Sequence, residues 1–267
     1  MLTYDSLIEQ AKNRQMPATK IRGILREYLQ ILILKEMYSN KTGQKLYFTG
    51  GTYLRLAHNI KRFSKDLDFN TKDITLAQFE KLTHKISSEL EKMNIRSTVK
   101  HEHWGNLFVS NILFPEIEKE YGVISKYSKK EGITLKIETN VPKWKINTES
   151  KIIVGFGEVF PCICTEIGAL FADKIDAFAK KTRARHLFDL IFLLSNKFKI
   201  DMNVLKSLQI KEPFALIIKR LESFSKGDII KMADSIRPFL FEESDAELIV
   251  NARLVLPKLI SDYKEHA

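Results

Sequence analysis

Two acidic residues one position apart, Asp66 and Asp68, are the strongest chemical signal in this chain of 267 residues. They lie in the segment RFSKDLDF, where Leu67 and Phe69 alternate with them. Side chains at i and i+2 of a β-strand point to the same side, so the carboxylates would share one face. Paired carboxylates repel each other, and a Mg²⁺ ion held against a triphosphate would remove that cost. A polar strand end that caps a turn remains the alternative.

A glycine-rich turn precedes the acids in the segment TGGTYLRL, at Gly50, Gly51 and Thr52. Glycine lets backbone N–H groups come close to phosphate oxygens. The short helix expected from Thr52 to His58 would direct its first N–H groups at an anion. An anion cradle and a metal clamp within one short segment predict nucleotidyl transfer.

Glu138 lies in LKIETN, a predicted strand on which Leu135 and Ile137 would face a core, while Lys136 and Glu138 would face away from it. The residue is either an exposed strand charge or a third acid. A third acid would complete the metal site or act as general base on the incoming hydroxyl. The sequence does not decide between these alternatives.

Lys174 and Asp189 are charged residues in strongly apolar helical segments. Such a lysine either extends to water or faces a cleft, where it could neutralise triphosphate oxygens. A buried acid needs a partner. One straight helix would separate the two residues by about 22 Å. If both serve one site, the chain must turn back within Lys180 to Arg185, with Thr182 as the N-cap.

Other candidate sites are weaker. His101, Glu102 and His103 provide too few ligands for zinc, and Cys162 and Cys164 are expected to be reduced core residues. Trp144 could stack on a base. The Lys-rich stretch 126–151 is expected to be a solvated face.

The bulk composition fits a polyanionic partner, because 43 Lys and Arg against 33 Asp and Glu give a formal net charge of +10. A Lys-rich surface without such a partner is the alternative. The N-terminus lacks the apolar run of a signal peptide, and Glu158, Pro161 and Glu166 interrupt the most apolar stretch. We expect a cytoplasmic protein without a membrane span.

Hydrophobic periodicity predicts an α+β fold. Helices and short strands alternate up to about residue 100. Strands are expected over 98–100, 107–113, 133–140 and 151–154, with a loop over 116–130. The pattern after about 162 is helical and ends with a helix over 246–265. We expect an α/β core with a mixed sheet over residues 1–160. A helical half over 161–267 would pack on it and complete the active-site cleft.

With these motifs in hand, the sequence resembles the AbiEii/MenT family of nucleotidyltransferase toxins, within the DNA polymerase β-like superfamily. The resemblance runs from IRGILREYLQIL through FTGGTYLRL, RFSKDLDF and LKIETN to ADKIDAFAKKTRARHLFDLIFLL. It covers most of residues 20 to 195. Where the family commonly has Arg-Asp-x-x-Asp, His186 replaces the first Asp.

The resemblance implies a polymerase β-like core and a site built from matching positions. Asp66 and Asp68 would bind Mg²⁺, or Mn²⁺ in its place, with Glu138 as the third carboxylate. Lys174 would contact the triphosphate, and Asp189 would be a further essential acid. The residues implied to hold the nucleotide phosphates lie upstream of the acid pair: Gly50, Gly51, Thr52 and Ser64.

The function implied is that of a toxin from a toxin–antitoxin or abortive-infection system. It would move a nucleotide from an NTP to an acceptor, with the tRNA 3′ end favoured, and a cognate antitoxin would be a partner. Two alternatives remain: nucleotidylation of a protein or small molecule, and a binding module that holds nucleotide or RNA without turnover.

Overall fold

A computed structural model describes residues 1–123 and 132–266. The chain divides into two compact units. The first comprises Met1–Asn59, Phe63–Pro142 and Thr148–Cys164, and the second comprises Ile60–Arg62, Lys143–Asn147 and Thr165–Ala267. Throughout the described part of the chain, no helix combines the length and apolarity needed to cross a bilayer.

The first unit is built on a seven-stranded mixed sheet in the order β3-β4-β5-β2-β1-β7-β6. The strands are β1 (Tyr47–Thr49), β2 (Asp66–Asn70), β3 (Thr98–Trp104), β4 (Leu107–Phe114), β5 (Ile133–Asn140), β6 (Thr148–Gly155) and β7 (Glu158–Thr165). β2 lies inside the sheet, antiparallel to β1 and parallel to β5. The helices of this unit are α1 (Tyr4–Asn13), α2 (Ile21–Tyr38), α3 (Gly50–His58), α4 (Leu76–Lys92) and α5 (Ile117–Glu120).

Helix α2 supplies much of the first unit's core, because it is apolar around most of its circumference. Its residues from Leu29 to Leu34 are at most 2% exposed. A helix that is apolar on all sides is typical of a fully buried element. The sheet contributes alternating buried positions, such as Leu67 and Phe69 on β2.

The second unit is helical in its main segment. Its helices are α6 (Ile167–Lys180), α7 (Ala184–Ser195), α8 (Met202–Ser207), α9 (Pro213–Glu222), α10 (Lys226–Ile236), α11 (Glu247–Val250) and α12 (Ala252–Lys264). α7 is the most apolar of its longer helices and packs against α6, α10, α11 and α12. This is the central helix of the unit.

The structure confirms the α+β class and most of the predicted elements, with several differences. Helix α1 was not predicted, because its sequence is polar and it buries only Leu7 and Ala11. Strand β7 was not predicted either, because it contains Pro161, and proline disfavours a strand assignment. The predicted helix from residue 246 to 265 is divided at Asn251 into α11 and α12.

The predicted loop from residue 116 to 130 begins with the short helix α5. Its remainder from 124, and the part of the Lys-rich stretch up to 131, lie outside the described residues.

Candidate active site

The two predicted metal ligands share the open face of β2. Asp66 and Asp68 are half-buried, whereas Leu67 and Phe69 on the opposite face are at most 1% exposed. The alternation follows from the pleat of a strand. The structure therefore places two carboxylates side by side with their access to solvent retained, as the sequence predicted.

Gly50 lies so close to Asp68 that it has no room for a side chain. Strand β1 ends at Thr49 and helix α3 begins at Gly50, whose φ of +80° lies in the left-handed region that favours glycine. A Cβ built on Gly50 would lie 2.2 Å from Oδ2 of Asp68. A side chain at position 50 would therefore displace the carboxylate, so the glycine and the acid pair form one site.

Thr52 connects helix α3 to the acid-bearing strand. The side chain is fully buried, and its hydroxyl donates a hydrogen bond to the main-chain oxygen of Asp66. Ser64, just upstream of β2, accepts a hydrogen bond from Nε2 of the buried Gln30 through its main-chain oxygen at 3.1 Å. These bonds fix the segments around the acids. The phosphate contacts predicted for Gly50, Gly51, Thr52 and Ser64 stay predictions.

A buried arginine holds α3 against α2. Arg55 is 1% exposed, and its Nε lies 2.9 Å from Oε2 of Glu27, which is 2% exposed. Arg14 contacts the other oxygen of Glu27 at 2.9 Å. Sequence reasoning missed this cluster. A charged pair at positions where α2 and α3 are otherwise apolar was the available signal.

Glu138 lies next to the acid pair, on strand β5. The parallel register sets Asp66 opposite Lys136 and Asp68 opposite Glu138. Residues in register on neighbouring strands point to the same face, so all four side chains share it. Lys136 forms an ion pair with Glu138. Sequence reasoning placed Lys136 on the outward face and assigned it no role.

The arrangement fits a metal held together with a nucleotide, and it does not form a complete cage of protein ligands. Within residues 1–123 and 132–266, no group of three or more His, Cys, Asp or Glu is arranged to hold a metal ion. Mg²⁺ usually binds through one or two carboxylates plus substrate phosphates. Asp66 and Asp68 meet that requirement, and a role for Glu138 as a third ligand stays a prediction.

Asp189 is the centre of a buried charge cluster in the second unit. The residue is fully buried, and its carboxylate accepts hydrogen bonds from Nε of Arg62 at 2.7 Å and from Nη2 of Arg62 at 2.8 Å. Nζ of Lys174 lies 2.7 Å from Oδ2 of the same carboxylate. Arg62 and Lys174 are 3% and 6% exposed. Burial alone raises the pKa of Asp189, but the two cations outweigh it and hold the pKa below its usual value.

The predicted reversal of the chain is present. Helix α6 ends at Lys180 and α7 begins at Ala184, which allows Lys174 and Asp189 to form their ion pair. The predicted cap was wrong, because Arg183 is the N-cap and provides no side-chain hydrogen bond. The Thr182 hydroxyl instead accepts a hydrogen bond from Arg220 at 2.9 Å.

His186, the departure from the family pattern, is a buried neutral residue. It is 7% exposed, and neither ring nitrogen has a hydrogen-bond partner among the described residues. Burial, assisted by the nearby Lys174 charge, lowers the pKa of His186 to about 3. The ring is therefore uncharged near neutral pH.

The weaker candidates have other surroundings. Nε2 of His101 is 2.8 Å from the Thr83 hydroxyl, and Cys162 and Cys164 are free and buried, as predicted. Trp144 is 6% exposed, so its ring faces are covered. It lines a pocket of about 190 Å³ together with Lys145, Asn147, Asp201, Asn203, Val204 and Ser207.

Comparison with known proteins agrees with the fold. The family described as "Nucleotidyl transferase AbiEii toxin, Type IV TA system" matches residues 32–248. That range contains the acid pair and the Asp189 cluster, and it extends past residue 195, where the motif resemblance ended. The chain belongs to the AbiEii family and is a nucleotidyltransferase toxin of a type IV toxin–antitoxin system.

Solved structures include similar folds. MenT4, a nucleotidyltransferase toxin from Mycobacterium tuberculosis H37Rv, is 18% identical with a TM-score of 0.55, over 99% of this chain and 93% of that chain. JHP933 from Helicobacter pylori is 20% identical with a TM-score of 0.49, over 91% of this chain and 96% of that chain. The likeness to MenT4 supports the fold. Comparison with the curated proteins finds no match.

Proposed function

We propose that this toxin transfers a nucleotide from an NTP to the 3′ end of tRNA, with Mg²⁺ held by Asp66 and Asp68. One observation carries the proposal: two half-exposed carboxylates share a strand face, and one of them lies where a Cβ on Gly50 would collide with it. This strand face concentrates negative charge, which a divalent ion requires. Gly50 beside it has no side chain, which lets a phosphate group approach the backbone.

The residues of the first unit would divide the work. Asp66 and Asp68 would hold the ion, which would neutralise charge on the triphosphate oxygens. The N–H groups at the start of α3 would face the phosphates, where a helix N-terminus favours an anion. An acceptor hydroxyl would form a bond to the α-phosphorus, the bond to the departing pyrophosphate would break, and the hydroxyl proton would pass to solvent. Positioning and charge neutralisation supply most of the rate.

Lys174 would add positive charge for the triphosphate, as the family resemblance implies. Its ammonium is fixed by the buried carboxylate of Asp189, which also binds Arg62. We propose that Asp189 acts on the reaction through this cluster, as a positioning residue.

An RNA acceptor is supported by charge. The net charge of +10 favours a polyanion, and RNA phosphates bind basic proteins with a marked dependence on salt. The choice of tRNA rests on the family resemblance. An antitoxin follows from the type IV system to which the family belongs. A cytoplasmic location is likewise part of the proposal.

The direct test is incubation of the purified protein with each of four labelled NTPs, Mg²⁺ and total tRNA. We expect label in tRNA that is lost when EDTA is added. The variant Asp68→Asn should abolish the label, whereas Asp73→Asn, at an exposed acid just beyond β2, should retain it.

The same assay in cell extract distinguishes the alternatives. Label that resists RNase and is removed by protease would assign a protein acceptor. Label that resists both would assign a small molecule. Nucleotide binding without release of pyrophosphate under any condition would indicate a module without turnover, and the proposal would then be wrong.

A further inference from the structure

Lys136 is a cation set among the acids of the first unit. It lies opposite Asp66 in the register of β2 and β5, and its ammonium pairs with Glu138, which lies opposite Asp68. Asp66, Glu138 and Asp68 all attract the lysine electrostatically. The ammonium is therefore held within the acidic face by several carboxylates at once.

The net charge of this face favours the binding of one divalent ion. Asp66, Asp68 and Glu138 carry three negative charges and Lys136 carries one positive charge, which leaves a net charge of −2 on the two strands. Arg26 of α2 also interacts electrostatically with Asp66 and reduces the negative charge further, so the face favours no more than one divalent ion. The acid that a second ion could use in addition to Asp66 and Asp68 is Glu138, and Glu138 is engaged by Lys136.

We propose that Lys136 is a built-in cation that occupies Glu138 and restricts this face to a single divalent ion, bound by Asp66 and Asp68. The inference rests on the proposed metal–nucleotide site.

The pair is partly shielded from solvent. The side chains of Lys136 and Glu138 are 36% and 30% exposed, and the register of β2 and β5 fixes both residues beside the acid pair. Ammonium is a compact point charge, well suited to a site built for small cations. An approaching second ion would have to displace it and would be repelled by the first ion.

The number of bound ions is the test, and it requires no turnover. Mn²⁺ is titrated into the full chain with a non-hydrolysable nucleoside triphosphate, and free Mn²⁺ is measured by electron paramagnetic resonance, with a nucleotide-only sample subtracted. We expect one bound ion per wild-type chain. Lys136→Met should raise the number to two, because Glu138 becomes free to bind.

Further variants test whether the second ion depends on Glu138 and on the loss of positive charge at position 136. Lys136→Met combined with Glu138→Gln should return the number to one, and Lys136→Arg should keep it at one. Lys100→Met, at an exposed lysine on β3 of the same sheet, is the matched control and should leave one ion. Circular dichroism and thermal unfolding confirm that each variant is folded.

The outcomes separate this inference from the proposed function. Two ions in the wild type, or one ion in Lys136→Met, would overturn the role of Lys136 while leaving the metal site intact. No bound ion in the wild type would overturn the metal site itself, and the inference would fail with it. If Lys136→Met does not fold, the count in the wild type and in Glu138→Gln decides, and two ions in the wild type overturn the inference.

Discussion

The two units use the same type of residue in opposite ways. In the first unit, Asp66 and Asp68 are half-exposed and share one strand face. In the second unit, Asp189 is fully buried between Arg62 and Lys174. A carboxylate left accessible beside another one can bind a cation from solution, whereas a carboxylate satisfied on both oxygens holds its neighbours in place. Burial and neutralisation therefore distinguish the acids proposed to bind a metal from the acid proposed to position Lys174.

The largest effect should follow loss of an accessible acid. Asp68→Asn is expected to reduce nucleotide transfer on the order of 10³-fold, because charge stabilisation at the reacting phosphate is lost. The midpoint of thermal unfolding should change little, since Asn has nearly the shape of Asp and repulsion with Asp66 is relieved. A transfer assay and a thermal melt of the same preparation measure both effects. A variant that melts earlier and retains transfer would reverse the roles given to the two units.

Loss of the buried acid should act mainly on stability. Asp189→Ala leaves Arg62 and Lys174 buried without their partner, which is expected to lower the free energy of unfolding by about 3–5 kcal/mol. Urea denaturation measures the change. The control is Asp234→Asn, which removes the exposed pair between Asp234 and Arg237 and should leave the curve nearly unchanged. Equal curves for the two variants would contradict the positioning role of Asp189.

Two glycines with the same φ angle allow the effect of backbone strain to be separated from the effect of a clash with Asp68. Gly50 and Gly157 both have φ of +80°, but only Gly50 has Asp68 in the way of a Cβ, whereas nothing lies within 4 Å of the corresponding atom at Gly157. Each change to alanine should cost about 1–2 kcal/mol of stability from the left-handed backbone.

Transfer should then fall only in Gly50→Ala, on the order of 10-fold, because the acid is displaced. Kinetics of the two variants at a temperature where both are folded provide the measurement. A similar loss of transfer in Gly157→Ala would show that backbone strain, not the displaced acid, limits the reaction.

One histidine in each unit has a lowered pKa and makes the stability of the protein sensitive to acid. The pKa is lowered to about 3 for His186 and to about 4 for His58, chiefly by burial, with Lys174 and Lys151 contributing. Between these values and the unfolded value near 6.5, the unfolded chain binds protons that the folded chain does not. Stability should therefore fall as the pH drops below about 6.5.

Replacement of His186 tests how much the second unit contributes to this dependence of stability on pH. His186→Asn should remove about 1 kcal/mol per pH unit from the slope of unfolding free energy between pH 6 and pH 4. Urea denaturation across that range, with His58→Asn as the counterpart in the first unit, measures both shares. An unchanged slope in His186→Asn would show that the ring is charged in the folded protein.

Much of the fold was available from the sequence because periodicity reports burial. The strand of Asp66 and Asp68 alternates clearly, and the range predicted for β5 is the one observed. Helix α1 and strand β7 were not predicted, since few apolar residues mark the helix and a proline interrupts the strand.

The candidate site was predictable in its residue types and less so in its contacts. Asp-x-Asp spacing fixes which side each carboxylate takes. Arg62 could not be assigned its partner Asp189, because packing joins residues that are 127 positions apart in sequence. The place of Lys136 opposite Asp66 depends on a strand register that the sequence alone does not give. Thr52 illustrates the same limit, since its hydroxyl bonds to Asp66 fourteen residues away.

The most direct test of the acid pair is an anomalous difference map from crystals grown with Mn²⁺ and a non-hydrolysable nucleoside triphosphate. The account predicts a peak about 2.0–2.4 Å from carboxylate oxygens of both Asp66 and Asp68, in contact with phosphate oxygens. A bound nucleotide whose metal lies away from both carboxylates would contradict it.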